Sequence, residues 1–175
     1  MPICFFLYVQ EQGNEDRMMI TLRQKKITDE KFLLQLYEST RAQELVPWRD
    51  EERNAFVQMQ YTAQSIHYRN TYPDLNYQII LSDGQSIGRL LTARLEDELR
   101  IVDISLLPEF HNKGISTNLI TQVLKEAEQE GTCVRLHVAV NNPAKQLYER
   151  LGFRKIQSDG VYIYMEARSE IVAVK

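Results

Sequence analysis

Hydrophobic and polar positions along this chain change their period repeatedly, and each change marks a new kind of element. The run Met19–Arg23 predicts a first strand. Thr28 then offers an N-cap, with Asp29 and Glu30 in the first turn of a helix, and Ile27 and Phe32 stand at the spacing of a hydrophobic staple. That helix runs through Leu33, Leu36 and Tyr37 to about Gln43. Pro47 breaks it, and Asp50 caps a second helix to about Asn70, with Phe56, Met59, Ala63 and Ile66 as its apolar stripe.

From Tyr77 the pattern is that of strands. Tyr77–Leu81, Ile87–Leu95 and Leu99–Leu106 are separated by Asp83-Gly84 and by Glu96-Asp97-Glu98, read as two hairpin turns, the second a solvated charge run. A helix over Gly114–Glu130 follows, turning Ile115, Leu119, Ile120, Val123, Leu124 and Ala127 inward until Gly131 stops it. Val134–Val140 reads as a central strand parallel to Leu99–Leu106. Pro143 opens another helix that Gly152 ends, and Arg154–Gln157 and Val161–Glu166 close the chain as a hairpin around Ser158-Asp159-Gly160. A meander feeding a βαβ crossover predicts an α/β fold with a mixed sheet and helices on its faces.

One junction carries chemistry. Arg100–Ser116 reads as a buried strand that breaks at Pro108 and turns tightly before a helix begins near Gly114. Such a junction aims backbone N–H groups and a positive helix end at one point, where a phosphate can sit.

Composition narrows the alternatives. A chain of 175 residues fits one domain, and the boundaries are set at residues 1–17 for an N-terminal extension and 18–175 for the domain proper. A net charge of −3 gives no electrostatic reason to expect nucleic acid. The Ile3–Val9 run is too short to span a bilayer and lacks a cationic lead, so neither a membrane span nor a secretory signal is expected. It reads as an added strand or an extension, and Gln10–Arg17 as a polar linker. Cys4 and Cys133 lie far apart, and His67, His111 and His137 have no metal-ligand spacing, so no metal is expected and a reduced, cytoplasmic setting fits.

Two blocks of sequence resemble the GNAT acetyltransferase superfamily. The first family motif is R/Q-x-x-G-x-G/A, and this chain has His111-Asn112-Lys113-Gly114-Ile115-Ser116 after Leu106-Leu107-Pro108-Glu109-Phe110. The second, N-x-x-A-x-x-L-Y-E-x-L-G-F, is complete in Asn141, Ala144, Leu147, Tyr148, Glu149, Leu151, Gly152 and Phe153. The resemblance covers about Met19 to Ala167. It implies a mostly antiparallel central sheet with a splayed parallel pair and flanking helices. It also implies acetyl-CoA as co-substrate and an N-acetyltransferase acting on a primary amine by direct attack through a tetrahedral intermediate. Three positions depart from the pattern: His111 replaces Arg or Gln, Asn112 stands where Gly is common, and Ser116 replaces Gly or Ala. Asn tolerates left-handed backbone better than most side chains, so Asn112 can keep the loop shape.

The resemblance also assigns roles. Backbone at Leu106 and Leu107 would hold the pantetheine arm, and His111, Asn112, Lys113, Gly114, Ile115, Ser116 and Thr117 would cradle the pyrophosphate. Asn141 would bind cofactor or fix the strand end, and Tyr148 would protonate the departing CoA sulfur. An amine with an ordinary pKa must lose a proton before it attacks a thioester. Asp103, interrupting an apolar strand, is a candidate base or water anchor, and pairing with Arg89, Arg94 or Arg100 is its other reading. Glu109 reads as solvent-facing. Tyr61 and Tyr68 share a helical face with Val57 and either line the acceptor pocket or pack in the core or on the surface. Trp48 reads as a lid or a loop anchor. The acceptor is a small-molecule or protein amine, and the apolar runs Ile3–Val9 and Ile171–Val174 offer surface for a homodimer. The rival reading is a non-catalytic CoA-binding or regulatory module with the same fold.

Overall fold

A computed structural model describes residues 6–9, 18–41 and 49–168 of the chain. Cys4, the Gln10–Arg17 linker, the first helix's end near Gln43, the Pro47 break, Trp48 and the Ile171–Val174 run lie outside them. The chain divides into two compact units, Met1–Leu91 with Asp103–Ile115, and Thr92–Val102 with Ser116–Lys175.

The strands are β1 (Phe6–Val9), β2 (Met18–Gln24), β3 (Asn76–Ser82), β4 (Gln85–Leu95), β5 (Glu98–Leu106), β6 (Cys133–Ala139), β7 (Arg154–Ser158) and β8 (Tyr162–Arg168). Their hydrogen-bonded order is β1-β2-β3-β4-β5-β6-β8-β7. The helices are α1 (Glu30–Ser39), α2 (Asp50–Thr71), α3 (Ile115–Glu130) and α4 (Ala144–Arg150). The fold is the expected mixed, mostly antiparallel α/β arrangement with one parallel pair, β5 with β6.

In the first unit, β1 pairs antiparallel with β2, and β2 with β3. Asp83 and Gly84 both take positive φ in the turn to β4, as a two-residue hairpin requires. The core gathers Leu33, Leu36 and Tyr37 of α1, Val57 and Tyr61 of α2, and Ile79 of β3. Three expectations fail here. Met59 and Ile66 are exposed, and the packed side of α2 is instead Val57 and Tyr61, followed by the half-buried Gln64 and Tyr68. Polar tips mislead a hydropathy reading when they find partners: Tyr61 donates to Glu30 Oε2 at 2.9 Å, and Gln64 Oε1 accepts from Arg89 at 2.8 Å. The staple fails as well, since Ile27 is 85% exposed and lies in a 3-10 turn over Ile27–Asp29. Asp29, not Thr28, closes that turn, accepting from the Lys26 amide and from both terminal nitrogens of Arg23, each at 2.7 Å. Those bonds hold its carboxyl down at about 2.

In the second unit, the parallel ladder runs from Glu98–Cys133 to Ile101–Leu136, while β5 continues to Leu106 and β6 to Ala139. β6 also pairs along its whole length with β8, which carries β7 at its other edge. Leu119, Ile120, Val123 and Ala127 of α3 are buried, as are Val134, Leu136 and Val138 of β6. Gly131 stops α3 at φ 69°. Glu98 corrects the solvated-turn reading: it is 6% exposed and accepts from Arg100, Arg135 and Tyr164. A turn needs no third residue when Glu96 and Asp97 suffice, and a buried carboxylate is tolerated because three donors meet it.

Candidate active site

The end of β5 is fixed by its neighbour in the first unit. A Cβ on Gly88 would meet Ser105 O at 2.3 Å and Leu106 Cδ2 at 2.7 Å, so the backbones approach more closely than any side chain permits. One residue earlier, Ile87 O accepts the Leu107 amide at 2.8 Å. The signal in the sequence was a lone Gly inside a strand pattern, which marks close backbone approach.

Beyond Leu107, Pro108–Phe110 form a 3-10 turn. The Phe110 amide donates to Leu107 O at 2.9 Å and the His111 amide to Pro108 O at 3.1 Å. Asn112 takes φ 60° and Gly114 φ 74°, so the chain is left-handed twice before α3 begins at Ile115. Successive turns of this kind point amides outward, and the first turn of α3 leaves its own amides without intrahelical partners. The donors that fit a diphosphate therefore start at Asn112 and continue through Lys113, Gly114, Ile115, Ser116 and Thr117. The His111 ring faces back along the chain, its Nε2 2.9 Å from Leu106 O.

Asp103 sits in the same unit with a side chain 19% exposed. Its Oδ2 accepts from Arg89 Nε at 2.5 Å, and its Oδ1 from Ser105 Oγ at 3.0 Å. Arg89 also donates to Tyr77 Oη at 3.2 Å and to Gln64. Burial opposes the charge on Arg89, yet Asp103 and Tyr77 hold its pKa above the ordinary value. Burial, then the nearby Asp103, push the pKa of the Tyr68 hydroxyl up. Tyr61 belongs to the core, its ring 5.8 Å from that of Tyr37. Glu109 is exposed. Tyr77 and Gln64 were not singled out in the sequence; only their contact with Arg89 marks them.

In the second unit, Tyr148 lies on α4, 8% exposed, with its ring edge-on to Phe153 at 5.7 Å. Asn142 Oδ1 accepts the Ala144 amide at 2.9 Å and so starts α4, while Asn141 is exposed. Arg100 donates to Tyr164 Oη at 2.8 Å and lies with Nη1 3.0 Å from His137 Nδ1. His137 stacks on Tyr164 at 4.6 Å, and burial followed by the Arg100 charge lowers its pKa. A cavity of about 280 Å³ opens beside these three, walled by Ser158, Asp159 and Tyr162 of the last hairpin. Among the described residues no cluster suits a metal ion, and no helix is long and apolar enough to cross a membrane.

The site thus lies where the fifth strand of a mixed sheet with one parallel pair runs into a left-handed loop and then a helix. The profile of the acetyltransferase (GNAT) family matches residues 33–153, and the chain belongs to that family. It is an N-acetyltransferase domain, with acetyl-CoA as donor and an amine as acceptor. The chain is 27% identical over 122 residues to the [ribosomal protein bS18]-alanine N-acetyltransferase of Haemophilus influenzae, covering 69% of this chain and 74% of that protein. It is 32% identical over 77 residues to an N-alpha-acetyltransferase of Saccharolobus solfataricus, a match spanning 39% of this chain and less than half, 46%, of the archaeal protein. The PaiA N-acetyltransferase of Thermoplasma acidophilum, solved with coenzyme A, shares the fold with a TM-score of 0.66 at 20% identity, over 86% of this chain and 99% of that one.

Proposed function

We propose that residues 18–175 acetylate a primary amine by direct attack on the acetyl-CoA thioester, with the diphosphate held at Asn112–Thr117 and the arm along the end of β5. The observation that carries this reading is the doubly left-handed loop, Asn112 and Gly114, set between a clamped strand end and the first turn of α3. The parallel ladder of four register pairs also supports it, since β5 and β6 both continue past those pairs.

In this reading Tyr148 gives its phenolic proton to the departing thiolate. A protonated amine cannot attack, so the acceptor must first lose a proton. Both oxygens of Asp103 already accept hydrogen bonds, from Arg89 and Ser105, which suits a carboxylate that orients a water or the incoming amine more than one that takes the proton alone. Tyr68, its hydroxyl kept neutral by burial and by the charge of Asp103, would line the acceptor side. Acetyl-CoA supplies the acyl group and the leaving thiol; the chain's own groups bind, orient and move protons.

Release of CoA thiol over a panel of amines tests the proposal. Both curated relatives bear names for the acetylation of protein or α-amino groups, so peptides with a free N-terminus head that panel. Turnover with one class of amine supports the reading; tight acetyl-CoA binding with no turnover of any amine supports the non-catalytic module instead.

A further inference from the structure

We propose that His111 serves the cofactor site as a positioning residue for the Leu106 carbonyl, not as a ligand of the diphosphate. The inference rests on the reading above, in which the backbone at the end of β5 takes the pantetheine arm.

His111 occupies the position where the family motif has Arg or Gln, and a charged imidazole on a phosphate is the obvious role. The structure gives it another. Its Nε2 is 2.9 Å from Leu106 O. A carbonyl oxygen only accepts, so Nε2 carries the proton and points away from the loop amides toward the strand. The backbone amide of His111 is engaged too, by Pro108 O. Neither nitrogen of this residue with a fixed proton is left for an anion.

What the ring holds is the last residue of β5. On the other side of the same segment, Ile87 O holds the Leu107 amide, and the bare Cα of Gly88 lies under Ser105 O and Leu106. Leu106 is thus set from the strand side by β4 and from the loop side by His111. A carbonyl has two acceptor sites, so Leu106 O can keep the His111 bond and still receive an amide N–H from a ligand. Arg, Gln and His share no charge, because Gln has none. They share a side-chain N–H that can reach such a carbonyl, which makes His111 a functional equivalent at this position.

Two donors separate the roles: acetyl-CoA, and S-acetylpantetheine, which has the arm but no phosphate. Steady-state KM values are measured for the wild type, His111→Ala and His111→Gln, with thermal midpoints confirming that each variant is folded. Losing one positioning hydrogen bond is expected to raise KM roughly 5- to 10-fold. The rise should be equal for the two donors in His111→Ala, with the amine KM unchanged and with recovery to within about 2-fold in His111→Gln. A loss confined to acetyl-CoA puts the ring on the phosphates and overturns the proposal. So does an unchanged His111→Ala, or a His111→Gln no better than it. A wild-type protein that binds neither donor overturns the cofactor reading itself, a different failure from any in which only the variants disagree.

Discussion

Arg89 Nε stands 2.5 Å from Asp103 Oδ2, joining a guanidinium that is 3% exposed to a carboxylate that still touches solvent. The pair is one-sided: Arg89 has three partners and depends on all of them, whereas Asp103 keeps an open edge. Removing the arginine leaves a poorly solvated carboxylate together with unpaired Tyr77 and Gln64 groups. Arg89→Met is therefore expected to cost about 3 kcal/mol of unfolding free energy, and Asp103→Asn clearly less, because an amide oxygen still accepts from Nε. Urea titration of both variants measures the difference, and equal losses would argue against this asymmetry.

Asp103→Asn also reports on chemistry. Where the carboxylate assists deprotonation of the acceptor, kcat/KM falls about 10²-fold and its acidic limb flattens. A pH profile that keeps its shape returns Asp103 to a purely structural pairing with Arg89.

Tyr148→Phe keeps the ring against Phe153 and removes only the hydroxyl. Turnover is expected to drop about 10²-fold, with the CoA dissociation constant unchanged by calorimetry. Undiminished turnover would assign the thiolate's proton to another source.

Gly88→Ala would place a methyl group 2.3 Å from Ser105 O, a backbone atom that cannot swing aside. The two strands must part locally, at a cost of about 1–3 kcal/mol. A lowered thermal midpoint should be accompanied by a raised acetyl-CoA KM, since the moved segment is the one assigned to the arm. A raised KM for the amine alone would contradict that assignment.

Asp29 gives the protein a pH-dependent term. Its folded pKa of about 2 lies below the ordinary carboxyl value, so its stabilisation is complete above the unfolded pKa and disappears as pH falls through the folded one. The contribution at neutral pH is about 2 kcal/mol. Asp29→Asn should be destabilised by that order at pH 7, and the gap to wild type should narrow steadily below about pH 5. A gap of constant size across that range would remove the Arg23 pairing as its origin.

Much of the fold was legible because helices and strands here announce themselves by period. α3 buries the positions its spacing named, apart from the half-buried Leu124, and the Asp83-Gly84 turn adopts the backbone its residues prefer. The left-handed Asn112 was legible for the same reason, since few other side chains tolerate that conformation. What stayed hidden were polar groups satisfied by residues distant in sequence. Gln64 gives no sign of packing until Arg89 comes to meet it, and the packed side of α2 is the face of Val57, Tyr61 and Tyr68, not that of Met59 and Ile66. Glu98 looks like part of a charged turn until Arg100, Arg135 and Tyr164 converge on it. Apart from Arg100, two residues on from Glu98, these partners lie 25 to 66 residues away, where no local pattern encodes them. Gly88 and the His111–Leu106 contact were missed as well, the first a close approach of two strand backbones and the second a side chain turned back onto a carbonyl five residues earlier.

His137 shows how a neighbour can withdraw a residue from chemistry. Arginine never accepts, so the ring nitrogen facing Arg100 must offer its lone pair, and the remaining nitrogen of the neutral ring carries the hydrogen. Such an imidazole has no vacant lone pair. It can pass a hydrogen bond outward, but it cannot join a proton relay without releasing a buried guanidinium. His137 is therefore no candidate for the base of acetyl transfer, although an imidazole is the commonest group for that work.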